Sequence, residues 1–167
     1  MALDDHLVNP QVLRSLYGEI LPDALVGIRI RSVNLNWRGP TVRLRIDLPG
    51  FPRTPPAEWG DADTVQCQLE FLAVEPITVA EWKPPVLGDV RMVRVGDDGA
   101  RRMRVEVVGR GADLRFECHE RATVRHVSAF RCGSGGDDGG PHRFVSKVDS
   151  RLHTFLPATD ERAFYEH

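Results

Sequence analysis

The chain has 167 residues, 24 acidic and 22 basic, with a net charge of −2 and a hydrophobic fraction of 41%. That length supplies one domain with a sizeable core and leaves little room for two. The near-neutral balance argues against a nucleic-acid binder and against a polybasic membrane anchor, both of which carry a basic excess, and no apolar run approaches the roughly 20 residues of a membrane span.

The basic residues are lopsided: Lys83 and Lys147 are the only lysines, beside 20 arginines. This is the signature either of a GC-rich genome or of an Arg-rich contact surface. The three cysteines, Cys67, Cys118 and Cys132, are too few and odd in number for a disulfide framework. Met1 to Leu7 has neither a basic n-region nor an apolar h-region. Together these features predict a cytoplasmic protein with reduced thiols.

In chain order, Asn9-Pro10 predicts a helix start, with Asn9 as N-cap and Pro10 at the first helical position. Val12, Leu13, Leu16 and Tyr17 form its apolar stripe, Tyr17 serves as an anchor, and Gly18 is the stop. From Leu25 the period changes to 2. Val42, Leu44, Ile46 and Leu48 alternate with Arg43, Arg45 and Asp47. Val65, Cys67, Leu69 and Phe71 alternate with Gln66, Gln68 and Glu70. Met103, Val105 and Val107 alternate with Arg102, Arg104 and Glu106, and Leu114, Phe116 and Cys118 with Arg115, Glu117 and His119. Such alternation marks strands with one buried and one wet face. Ile28 to Trp37 and Val90 to Val95 are strand-like but change phase midway, which predicts bulges.

Gly96-Asp97-Asp98-Gly99, Gly109-Arg110-Gly111 and Trp37-Arg38-Gly39-Pro40 read as short turns. With no long helix between strands, parallel units are disfavoured. The predicted fold is mainly β: an antiparallel meander of about seven strands forming two packed sheets or one strongly curved sheet, after one short N-terminal helix. Residues 1–131 make the β-rich domain. Residues 132–141, CGSGGDDGGP, read as a Gly-rich linker. Residues 142–167 read as a tail, poorly ordered or forming a short docking helix on Phe144, Val148, Leu152 and Phe155, and residues 133–167 are expected to be dispensable for folding.

Signatures of catalysis are missing from the sequence: there is no nucleophile elbow, Walker A loop or dinucleotide fingerprint. Cys118, His119, His126 and Cys132 fit no zinc spacing, and strand neighbours point to opposite faces. Asp47, Glu70 and Glu106 read as partners of cross-strand arginines rather than an acid/base pair. Trp59 and Trp82, each beside prolines, read as structural anchors, and Trp37 as a partly exposed turn residue.

Several segments in a fixed order resemble the immunity protein 50 family of bacterial polymorphic toxin systems. They are Asn9-Pro10, Leu13 and Leu16-Tyr17-Gly18; then Gly39-Pro40 running into Val42 to Pro49; then Phe51-Pro52, Pro55-Pro56 and Trp59. Thr64-Val65, Leu69 to Phe71, Trp82 and Val127 to Phe130 follow. Glu81 departs from the small residue expected before that Trp, and the chain beyond residue 131 lies outside the resemblance. The resemblance implies a binding protein without catalytic residues, cofactor or metal, which neutralises a cognate toxin domain inside the producing cell. On that reading the outward-phase residues Arg43, Arg45, Arg102, Arg104 and Arg115 are expected to form the toxin-binding face. Two other readings compete: a small-molecule-binding β-domain with a pocket near Trp59 and Trp82, and a metal-dependent hydrolase built on Cys118 and His126.

Overall fold

The computed structural model describes residues 2–22, 24–83, 85–97 and 99–152. A 3-10 turn, Leu3–His6, precedes helix α1 (Gln11–Tyr17). Strands β1 (Leu25–Asn36), β2 (Thr41–Asp47) and β3 (Thr64–Phe71) follow, with a second 3-10 turn, Ala57–Trp59, between β2 and β3. Then come β4 (Ile77–Trp82), β5 (Val86–Val95), β6 (Arg102–Gly109), β7 (Ala112–His119), β8 (Thr123–Phe130), β9 (Arg143–Phe144) and helix α2 (Lys147–Leu152).

The nine strands form one antiparallel sheet in the order β4-β7-β6-β5-β1-β2-β3-β8-β9. The mainly-β antiparallel reading holds, in its single-sheet form. Its connectivity is richer than a simple meander. Two three-stranded meanders, β1-β2-β3 and β5-β6-β7, are joined through β1 and β5, while β4 and β8 cross over to the outer sides of β7 and β3. Strands β4 and β9 lie outside the expected set, because neither segment alternates: every residue of Ile77–Glu81 is exposed, and β9 is only two residues long.

The sheet is strongly curled. Five inter-strand steps separate β7 from β3, about 24 Å if the sheet were flat. Yet Phe71 on β3 and Phe116 on β7 meet edge to face with ring centroids 5.2 Å apart. The chain after β3 completes the approach: His119 N–H donates to Leu72 O (2.9 Å) and Glu75 N–H to Glu117 O (2.8 Å). The alternating apolar residues line the concave side and fuse into one core, with Leu44, Ile46, Leu69, Phe71, Val105 and Leu114 all buried. Gly88 and Gly109 face each other across β5 and β6. A Cβ on Gly88 would sit 2.6 Å from Val108 O, so this close approach requires glycine.

The expected phase change in the first long strand is a register shift between Ile30 and Ser32 against β2. The one expected in Val90 to Val95 is not a bulge. The β5–β6 register runs unbroken: Val93, opposite Arg104, lies on the outer face and is 55% exposed, while Arg94, opposite the buried Met103, takes the core-side position. A bulge does occur in β8, where His126 adopts φ 48°.

Helix α1 starts differently from expectation. Pro10 takes the cap position with no side-chain cap, and Gly18 closes the helix at φ 82° with its N–H on Arg14 O. The Asn9 carboxamide instead clamps the free edge of β8. Its Nδ2 donates to Val124 O and its Oδ1 accepts from Val124 N–H, each at 2.8 Å. Chain segments cover that edge on both sides of the clamp: Val8 N–H donates to Ala122 O, and Val145 N–H to Val127 O. Beyond these, β9 pairs with Ser128 and Ala129. A bare edge would invite strand addition, and residues 8–9 and 143–145 cover this one.

Candidate functional site

On the convex side, the outward-phase residues of β1, β2, β3 and β8 form a buried polar layer. Arg31 grips Asp47 at two points, Nε–Oδ1 3.0 Å and Nη2–Oδ2 2.6 Å. Gln66 Nε2 donates to Asp47 Oδ1 (2.8 Å) and to Asp138 Oδ2 (3.1 Å). The Arg31 Nη1 also donates to Gly136 O, and its guanidinium lies 5.6 Å from the centre of the Phe130 ring. Burial works against the Arg31 charge, but Asp47 and Asp138 more than offset it and hold its pKa above the ordinary value.

The segment read as a linker therefore lies on the sheet. Gly136, at φ 80°, sits under the Arg29 guanidinium, which a Cβ there would overlap. Asp138 anchors on Gln66, and His142 stacks on Phe130 at 4.6 Å. His142 Nε2 is 2.9 Å from Asp138 O, a pure acceptor, so that nitrogen carries the proton. Nδ1 then accepts from the Ser128 hydroxyl at 2.8 Å. Burial, and secondarily Arg45, hold the His142 pKa below its ordinary value. Helix α2 docks through Asp149, whose carboxylate is 2.9 Å from His126 Nδ1 with both side chains buried. Of the expected tail helix, Phe155 lies outside the described residues, while Phe144 falls in β9.

The expectation of a wet face on β3 is thus corrected: Gln66, Gln68 and Glu70 are all buried. Alternation reports which residues face away from the core, and says nothing of a second layer above them.

The five arginines do not form one patch. Arg43 pairs with Glu70 at 2.7 Å, and Arg125 meets the same carboxylate at 3.0 Å. Arg45 is drawn into the polar layer, where burial lowers its pKa against the pull of Asp138 and Asp47. Arg102 donates to Ala73 O (2.8 Å) and Glu75 O (2.6 Å), tying down the β3–β4 connection. Only Arg104 and Arg115 stand well out, with side chains 53% and 57% exposed, in a lattice with Glu117, Asp113 and Glu106.

Trp59 is buried against Phe51, ring centroids 5.8 Å apart. Tyr17 packs on the core edge and donates its hydroxyl to Gly50 O; burial pushes that hydroxyl's pKa up. Trp82 ends β4 and packs partly against the core. A cleft of about 560 Å³ beside Trp59 is walled by Leu16, Pro56, His142 and Phe144, and Trp82 takes no part in it. Trp37 is 79% exposed, more open than expected, with the Arg38 guanidinium 5.2 Å from the centre of its ring.

The thiols of Cys67 and Cys118 are pushed up to about 12 by burial. Cys118 Sγ lies near Met103 O, and His126 is engaged with Asp149. Among the described residues no three His, Cys, Asp or Glu side chains converge as metal ligands. No helix of the described chain is long and apolar enough to cross a membrane.

No curated protein and no solved structure matches the chain. The family model described as Immunity protein 50 matches residues 9–129, a span from the Asn9 clamp through β8 that includes both meanders. The chain belongs to the immunity protein 50 family.

Proposed function

We infer that this chain neutralises a cognate toxin domain by direct binding in the cytoplasm of a bacterial producing cell, without catalysis and without a cofactor. Family membership over residues 9–129 carries the reading. The geometry supports it with a rigid, preformed polar surface. Arg104 and Arg115 lie on adjacent strands, β6 and β7, with their charges oriented by Glu117 and Asp113. Strand-borne groups of this kind lose little freedom on binding, which favours affinity. Arg104 and Arg115 are the proposed toxin contacts. Arg102, at the start of β6, supports them by tying down the β3–β4 connection, while Arg43 and Arg45 hold the polar layer together.

The test is co-expression with the cognate toxin domain, sought among the products of neighbouring genes. Wild type is expected to protect cells and to bind the purified toxin domain one to one. Arg104→Ala with Arg115→Ala is expected to keep the melting temperature and lose protection, since central arginines commonly contribute about 2 kcal/mol or more. Failure of the wild-type chain to bind that toxin would remove the functional reading, and full protection by the double variant would remove the arginines from the contact.

A further inference from the structure

The two edges of the sheet are treated in opposite ways. The β8 edge is sealed by Val8, the Asn9 carboxamide, Val145 and β9. Among the described residues, nothing pairs with the outer edge of β4.

Which main-chain groups of β4 face outward follows from its flanks. Glu117 N–H donates to Pro76 O, and Lys83 N–H donates to Gly111 O, so residues 76 and 83 both face β7. Alternation from Pro76 turns the polar groups of Ile77 and Val79 outward, and alternation back from Lys83 does the same for Trp82. The two counts agree only with one extra residue between them, and the register against β7 does shift between Val79 and Glu81.

The side chains divide as well. Ile77 lies opposite Phe116 and Val79 opposite Leu114, so both sit on the core side, yet they are 40% and 46% exposed at the rim of the curl. Thr78 lies opposite Arg115, on the outer side. At the start of β4, Leu35, Trp37, Pro40 and Val74 join Ile77 around an apolar groove of about 240 Å³. Exposed Trp and Arg are the residue types that most often anchor interfaces, and Trp37 carries Arg38 on its ring.

We propose that the toxin docks by adding one of its own extended strands to β4, with a large apolar side chain of that strand seated in the groove beside Trp37. This inference rests on the toxin-binding reading above and extends the Arg104–Arg115 surface across Arg115 to its neighbour Thr78. The occupant is specified by the edge itself: unpaired donors and acceptors require another extended chain, apolar toward Ile77 and Val79 and polar toward Thr78 and Arg115. A second copy of this chain fits poorly. Placing Ile77 opposite Val79 of a copy puts Trp82 opposite Val74, whose N–H is already committed to Pro40 O. Placing Ile77 opposite Trp82 sets Val79 against the extra residue of the bulge.

The experiment measures binding of the same purified toxin domain to wild type, Val79→Pro and Trp37→Ala. Proline at 79 removes an outward N–H and no bond to β7, and Trp37 is 79% exposed, so both variants are expected to melt with wild type. Each is expected to bind at least about tenfold more weakly. Trp37→Ala keeps the test decisive if Val79→Pro unfolds. Unchanged binding by a folded Trp37→Ala overturns the edge while leaving the toxin reading intact. A wild-type dimer that Val79→Pro dissociates assigns the edge to a second copy and also overturns it. A wild-type chain that does not bind the toxin overturns both.

Discussion

Asn9 and Val124, 115 positions apart, form a closed pair in which one side-chain amide satisfies both the N–H and the carbonyl of the other residue, at 2.8 Å each. The amide occupies the place of a neighbouring strand. It ties the entry of α1 to the edge of β8.

This relationship separates two roles for Asn9. As an N-cap it would be replaceable by Ser or Asp at little cost. As an edge clamp it needs one donor and one acceptor, which Ser cannot span and Asp cannot supply. Asn9→Ala, Asn9→Ser and Asn9→Asp are each expected to destabilise by about 1–3 kcal/mol, the range for leaving buried polar groups unmet. Urea denaturation measures this, and rescue by Ser or Asp would restore the N-cap role.

The seam between 131 and 132, drawn from the glycines of residues 132–141, gives the second prediction. Arg31, Gln66, Ser128 and His126 all take partners from residues 136–149. Ending the chain after Cys132 removes all four of these contacts, at roughly 1 kcal/mol net each. The truncated protein is expected to lose about 4 kcal/mol. A urea midpoint equal to that of the full chain would return this segment to the status of a dispensable linker.

The sequence makes the core strands legible for a physical reason. Leu44 and Ile46, or Val105 and Val107, alternate with charged residues because one face of each strand meets the core. The same logic misleads at Gln66, Gln68 and Glu70. Polar residues in outward phase look alike whether water or a second polar layer covers them, and the partners arrive from Asp138 and from Arg43 on another strand. Strand β4 is hidden because an edge strand at the rim buries neither face, which leaves no period to read. Asn9 is found by its position before Pro10, but its partner, 115 residues away, leaves no local trace. Of the expected contact arginines, only pairing partners distinguish exposed Arg115 from Arg45 in the polar layer, and pairing is a property of the folded sheet.

Acid sensitivity is the third prediction, and its sign follows from the polar layer. His142 is flanked by Ser128, the Asp138 carbonyl and carboxylate, Arg45, Asp47 and the Phe130 ring. Burial dominates and lowers its pKa below 6.5, and His6, buried near Arg94, is lowered in the same way. A base with a lowered folded pKa binds its proton more readily in the unfolded chain. Its contribution to stability is therefore present above the unfolded value and is lost as pH falls through the window toward the folded value. The urea midpoint is expected to decline from about pH 6.5 downward, before ordinary carboxylates titrate. A second decline follows in the carboxylate range. There the Asp138 pKa, which burial alone would raise, is held below its ordinary value by Gln66, Arg31 and Arg45, so protonation gives up that stabilisation. His6→Gln with His142→Gln is expected to abolish the first decline and keep the second, because glutamine can still accept from Ser128 and donate to the Asp138 carbonyl without titrating. A wild-type midpoint that stays constant from about pH 7.5 to 5, across the ordinary histidine range, or the same early decline in the double variant, would show that neither imidazole is held neutral by the fold.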